Sequence, residues 1–159
     1  MPPQAIVDLA KIDLTHVKFG PDEIRKVIPH RGAMALLDGV VSVDPERGIA
    51  IGFKDARSDE FWASGHFPGN PLLPGVVMIE AAGQLAVFFY KLCTPEIAGR
   101  LVVFGGVDEV RFRGSVRPGE RVWLVTRKIE MNRRVAKCDA QGFCDGKLIF
   151  DGKVIGIPV

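Results

Sequence analysis

The sequence predicts an α+β layer fold in which one curved antiparallel sheet wraps a single long helix. Three observations carry this. From Pro74 to Leu92 the chain is apolar on nearly every face, over a length that suits a buried helix rather than a strand. A succession of β-type runs follows it, with no regular strand–helix–strand alternation. The pair Asp145-Gly146 stands between two of those runs, a two-residue hairpin signal because both central positions of that turn require positive φ.

In chain order, residues 1–159 are expected to form one domain, with residues 1–19 as an N-terminal extension. Pro21 to Ile28 carries proline and acids in its first turn and bases later, the charge order of a short helix, and Pro29 ends it. Residues 35–54 gather apolar positions around the turn-prone Asp44-Pro45-Glu46-Arg47-Gly48 and read as two strands joined by a loop. After the long helix, Leu101 to Phe104, Val107 to Arg113, Arg121 to Glu130, Arg134 to Phe143 and Lys147 to Ile157 read as an antiparallel meander. Gly105-Gly106, Pro118-Gly119, Asn132 and Asp145-Gly146 divide it. A single sheet covers so apolar a helix incompletely, and a second subunit would finish the cover.

Composition narrows the class. A hydrophobic fraction of 47%, a charged fraction of 25% and a mean hydropathy of +0.16 describe a slightly greasy globular chain, which favours oligomerisation. A net charge of +2 lacks the basic face expected of a nucleic-acid binder. Cys93, Cys138 and Cys144 are odd in number and lack C-x-x-C spacing, so they support neither a disulfide framework nor a zinc site, and a cytoplasmic setting fits. The N-terminus has no basic start with an apolar core, and Glu80, Gln84 and Lys91 interrupt the best apolar run, so neither a signal peptide nor a membrane span is expected.

Glu80 is the sharpest chemical clue, the one acid between Glu60 and Glu96, set among Val76, Val77, Met78, Ile79, Ala81 and Ala82. Burial of a carboxyl raises its pKa and suits it to act as a general acid near neutral pH. Gln84 lies one turn on and would orient it. Glu80 also has a plain structural reading, on a solvated stripe or in a buried pair with an arginine. His66 lies in Gly65-His66-Phe67-Pro68-Gly69-Asn70-Pro71-Leu72-Leu73-Pro74-Gly75, where prolines fix φ and glycines permit unusual backbone; a surface or structural histidine is its bland alternative. Gly75 opens the helix, where unpaired amides and the positive end of the dipole favour developing negative charge and the missing side chain would admit a substrate oxygen. A histidine base, a neutral carboxylic acid and such an oxyanion donor together suit proton abstraction beside a carbonyl with loss of a β-substituent, which is a dehydration.

These residues resemble the β-hydroxyacyl-acyl-carrier-protein dehydratases of bacterial fatty-acid synthesis, a hotdog-fold family. The resemblance rests on Pro29-His30-Arg31, Leu36-Leu37-Asp38, Gly65 to Pro71, Pro74-Gly75-Val76 with Glu80 and Gln84, Gly106 to Phe112, and Pro118-Gly119-Glu120, in that order. It implies the hotdog fold, a long helix wrapped by an antiparallel sheet, in a homodimer whose sheets join into one, alone or as a trimer of dimers. It implies His66 as the base that takes the C2 proton of a 3-hydroxyacyl thioester and Glu80, from the other subunit, as the acid that releases water. Gly75 and Val76 become oxyanion and substrate-binding positions and Gln84 an orienting residue. The product would be a trans-2-enoyl thioester. No metal or bound cofactor is implied beyond the phosphopantetheine arm of acyl carrier protein, the implied partner.

Glutamate rather than aspartate at position 80 points to the subgroup that dehydrates without isomerising. Gly32-Ala33-Met34 departs from the aromatic stretch the family usually has after Pro-His-Arg, which bears on acyl-chain preference. Because the carrier is acidic, Arg111, Arg113, Arg117, Arg121, Arg133 and Arg134 are docking candidates, with ordinary solvated positions as the alternative. Phe67, Phe88, Phe89 and Phe104 either line an acyl tunnel or are plain core. His16, His30 and the cysteines receive no role. The competing functions are a hotdog acyl thioesterase and a non-catalytic acyl-binding dimer.

Overall fold

The computed structural model describes residues 1–159. Helix α1 (Pro21–Arg25) is followed by strands β1 (Gly39–Asp44) and β2 (Ile49–Asp55), the long helix α2 (Gly75–Cys93), and strands β3 (Val102–Phe112), β4 (Arg121–Met131), β5 (Ala136–Cys144) and β6 (Lys147–Pro158). All pairings are antiparallel, in the sheet order β1-β2-β4-β5-β6-β3. This is the α+β arrangement expected, a single sheet curved around one helix.

Both faces of the central strands are apolar, and the strand period separates them. Inward positions such as Ala50, Val122, Leu124, Cys138, Ala140 and Phe150 pack with Leu85, Phe88 and Phe89 of α2 in the main core. Outward positions Ile49, Ile51, Phe53, Val125 and Phe143 form a second apolar cluster, closed by Val7 of the N-terminal segment. That segment is held at Gln141, whose Oε1 accepts from the Ile6 amide at 2.8 Å and whose Nε2 donates to the Gln4 carbonyl at 3.0 Å. Residues 4–14 therefore lie along the outer face of the sheet, and Phe19 turns in to stack edge-on against Phe88 of α2.

Helix α2 is long and apolar enough to cross a membrane by length and composition, yet 72% of that window is buried inside the fold. It makes the core.

Three expectations are corrected by the sheet. The Gly105-Gly106 pair does not divide two strands: β3 runs through it, with register shifts at Phe104/Gly106 and at Asp108/Arg111. Bulging absorbs the glycines, and Glu109 takes a positive φ of 53° at the second irregularity. The meander is confined to β4, β5 and β6, because β3 crosses over to pair with β6 at the far edge. Helix α1 stops at Arg25 rather than reaching Ile28, although Ile28 still donates to the Ile24 carbonyl at 3.0 Å. The Asp145-Gly146 turn has positive φ at both residues, 49° and 74°.

The two edges of the sheet differ. Phe19 bridges Val40 and covers the β1 edge. The outer edge of β3 has no partner strand, and Val103, Phe104, Val107 and Phe112 are each about half exposed along it.

Candidate active site

Glu80 lies in the second turn of α2 with its carboxyl partly open to solvent, so it is not the fully buried group expected from its neighbours. Its Oε1 accepts a 2.9 Å hydrogen bond from Nε2 of Gln84, one turn on. Gln84 is buried and fully satisfied: Oε1 accepts from the amides of Leu36 and Leu37 at 3.0 and 3.3 Å, and Nε2 also donates to the Met34 carbonyl at 2.8 Å. The unusual Gly32-Ala33-Met34 stretch is a 3₁₀ turn, and it reaches the acid through that carbonyl.

His30 approaches from the other side, with Nε2 3.6 Å from Oε1 of Glu80. Burial pulls its pKa below the ordinary value of 6.5, against the opposing pull of the Glu80 charge. Sequence reasoning gave His30 no role. The signal was its place in the Pro29-His30-Arg31 motif, directly ahead of the segment that Gln84 binds.

Both His30 and Glu80 line a cavity of about 280 Å³ that continues between α2 and the sheet past Gly83, Val87, Val102 and Phe104. The lining is mostly apolar with the carboxyl among its few polar groups, as small-molecule sites tend to be.

His66 sits in the loop before α2 and is held from several directions. Its amide donates to the Trp62 carbonyl at 2.8 Å, its carbonyl accepts from Leu72 at 2.7 Å, and its Nδ1 lies 2.7 Å from the Leu72 carbonyl. A carbonyl only accepts, so Nδ1 carries a proton and the neutral ring leaves the Nε2 lone pair free, as a base requires. The loop is tied to the segment before β4 by Leu73 N–H to the Val116 carbonyl at 2.8 Å and by Arg117 donating to Asn70 Oδ1 at 2.6 Å.

Gly75 and Val76 begin α2 without a side-chain cap, and their amides have no partner in the chain. A Cβ at Gly75 would fall 2.6 Å from the Phe112 ring, so the missing side chain makes room for β3. Gly83 does the same for Phe104, where a Cβ would lie 2.4 Å from the ring. The Val76 side chain is exposed beside them.

The chain brings Glu80, Gln84 and His30 together and keeps His66 apart. Within one subunit Glu80 pairs with Gln84 and His30, whereas the His66 ring touches the Leu72 carbonyl and stacks on Phe67. The other candidates sort cleanly. Arg113, Arg117 and Arg121 are engaged by Asp151, Asn70 and Asp55, while Arg111, Arg133 and Arg134 stay exposed without ion pairs. Phe88 and Phe89 are buried core, and Phe67 and Phe104 are exposed. The cysteines are free thiols.

One buried pair was not foreseen. Lys54 Nζ and Glu60 Oε2 meet at 2.7 Å with both side chains almost wholly buried, bracing the loop that leads to His66. Burial alone would raise the Glu60 pKa, but hydrogen bonds from Lys54 and the Arg57 amide outweigh it and hold the carboxyl below its ordinary value.

Comparison with known proteins agrees with this geometry. The FabA-like domain family model matches residues 28–153. The 3-hydroxyacyl-[acyl-carrier-protein] dehydratase FabZ of Moorella thermoacetica is 39% identical over 132 residues, covering 83% of this chain and 91% of its own. That of Chloroflexus aggregans is 38% identical over 135 residues, covering 80% and 92%. Among solved structures, the dehydratase heterocomplex ApeI:P from Xenorhabdus doucetiae superposes with a TM-score of 0.73 at 18% identity, over 86% of this chain and 90% of that one. A mutant thioesterase PA1618 from Pseudomonas aeruginosa gives 0.58 at 21%, over 76% and 81%. The fold is thus the hotdog fold, and the chain belongs to the FabA-like dehydratase family.

Proposed function

We propose that the protein is a 3-hydroxyacyl-[acyl-carrier-protein] dehydratase, a hydro-lyase that turns a 3-hydroxyacyl thioester into a trans-2-enoyl thioester and water during fatty-acid or related acyl-chain synthesis. The observation that carries this reading is a matched pair of prepared groups: Glu80 with Oε2 free in the lining of an apolar cavity, and His66 with Nε2 free in the loop that leads into the uncapped start of α2. The FabZ relatives support the same activity.

The thioester carbonyl accepts from the amides of Gly75 and Val76, where the helix dipole stabilises the enolate. Nε2 of His66 takes the C2 proton. The electron pair forms the C2=C3 double bond as the C3–O bond breaks, and Glu80 gives its proton to the departing hydroxyl, which leaves as water. His66 holds the abstracted proton and Glu80 ends as carboxylate, so one proton passes back before the next turnover. Base, acid and oxyanion donors all come from the chain, so the chemistry calls for no metal or bound cofactor.

Because His66 and Glu80 do not meet within one subunit, the site is read as shared across a homodimer. The β3 edge supports that assembly: a long edge strand with Val103, Phe104 and Val107 half exposed would invite aggregation in a lone subunit, and pairing β3 with its copy extends the sheet. Acyl carrier protein is the partner that delivers substrate, with Arg133 and Arg134 free for an acidic surface, and the cytoplasm is the compartment.

The test is to incubate the protein with a 3-hydroxyacyl carrier thioester and follow the products by mass. Enoyl thioester is expected. Free thiol without enoyl product would make it a thioesterase, and neither product would make it an acyl-binding dimer.

A further inference from the structure

His30 has three properties that no structural need of the fold explains. It lines the cavity beside Glu80, its Nε2 points at Oε1 from 3.6 Å, and its buried Nδ1 has no hydrogen-bond partner. The charged groups around it are Glu80 and Lys91 on α2 and its neighbour Arg31. Lys91 is turned away, donating to the Ala98 carbonyl at 3.2 Å, and Arg31 donates to the Ile28, His30 and Arg25 carbonyls. Only the carboxyl of Glu80 is left for the ring.

Burial of the ring outweighs the opposing pull of the Glu80 charge and holds the His30 pKa below its ordinary value, which favours the neutral ring. A neutral ring has one N–H. Placing it on Nε2 gives a donor to the carboxyl and leaves Nδ1 an unpaired acceptor; placing it on Nδ1 would bury an orphan donor and set two lone pairs against each other at Oε1. The separation of 3.6 Å exceeds a formed hydrogen bond, and contacts of this kind are often long in unliganded sites and tighten with substrate.

We propose that His30 is a positioning residue for the acid: with Gln84 it occupies Oε1 of Glu80, so that the transferable proton resides on Oε2, the oxygen facing the substrate hydroxyl. The inference rests on the reading of Glu80 as the acid. Both residues belong to one chain, so it holds whichever subunit supplies the base.

The test compares His30→Ala and His30→Gln with the unaltered protein on two substrates, a 3-hydroxyacyl thioester and its 3-chloro analogue. Chloride leaves without needing a proton, so the analogue requires base and oxyanion donors but not the acid. With His30→Ala, kcat on the hydroxy substrate should fall about ten- to a hundredfold, less than the ~10²–10⁴-fold expected for losing a general acid outright. KM and the chloride elimination rate should stay within about twofold, and His30→Gln, whose amide N–H reaches the same oxygen, should recover most of the rate. Equal losses on both substrates, a rise in KM alone, or an unchanged kcat would each overturn the proposal. Glu80→Gln is assayed alongside: if it keeps the hydroxy rate, the acid assignment itself fails, whereas a loss there with His30→Ala unaffected overturns only the role of His30.

Discussion

Gln84 holds Glu80 at 2.9 Å with its amide locked in one orientation, because the Leu36 and Leu37 amides claim Oε1 and leave Nε2 to the Met34 carbonyl and the acid. Neither end of the amide is free to rotate. The carboxyl thereby inherits its position from the 34–37 segment as much as from its own helix.

Replacing Gln84 should therefore cost both stability and rate. Gln84→Leu leaves the buried Leu37 amide without a partner, while the Leu36 amide keeps its 3.0 Å bond to the Met34 carbonyl, at about 1–3 kcal/mol for the group left unsatisfied. Chemical denaturation should show a loss of about 1–3 kcal/mol, and the folded fraction should dehydrate more slowly than the unaltered protein. A variant of unchanged stability would show that this network does not hold the segment.

The Lys54–Glu60 pair gives a second stability test. Removing one partner strands a buried charge, so Lys54→Met should destabilise the fold by about 3–5 kcal/mol, while Lys54→Met combined with Glu60→Leu should recover most of that. The pH dependence follows from the lowered carboxyl. Below its ordinary value of 4.5 the unfolded chain takes up the proton first, so the contribution is complete above that pH and lost as pH falls through the folded value. Denaturation midpoints measured from neutral to acid pH check the sign.

His30 should add its own slope. Its folded pKa lies below 6.5, so the unfolded chain binds the proton more readily, and the stability from a neutral His30 is full above 6.5 and drains away as pH falls. Between about pH 7 and 5 the unaltered protein should lose stability more steeply than His30→Gln. Parallel curves would show that the imidazole is not held neutral.

Deleting residues 1–14 should expose the outer cluster of Ile49, Ile51, Phe53, Val125 and Phe143. The Val7 side chain alone stands for roughly 1.5–3 kcal/mol of burial. The truncated protein should melt earlier and bind a hydrophobic dye, while its folded fraction dehydrates at the full rate, since the segment touches no site residue. Unchanged melting would mean the segment does not cover the sheet in solution.

What was legible in the sequence follows local physics. The long helix showed itself by apolar length, and the last hairpin by Asp145 and Gly146, whose positive φ the two-residue turn requires locally. The position of β3 was not legible, because its residues carry no mark of which strand they pair with, and its glycines form bulges where they looked like a break. The segment 1–19 has Ile6, Val7, Leu9, Ile12 and Leu14 without strand or helix period, so its seat on the sheet could not be foreseen. At the site, Glu80 and Gln84 stand one helical turn apart and could be paired from spacing. His30 is fifty residues from Glu80, Lys54 is a lysine in an apolar strand, and only the folded chain shows what each of them meets.

The central claim is one site built from His66 of one subunit and Glu80 of its partner. The direct measurement mixes His66→Ala with Glu80→Gln protein under conditions of verified subunit exchange and assays 3-hydroxyacyl dehydration. Each variant alone should be nearly inactive, and random pairing should restore about a quarter of the unaltered activity, from one intact site in each mixed two-fold dimer. Complete exchange with no recovery would contradict the shared site.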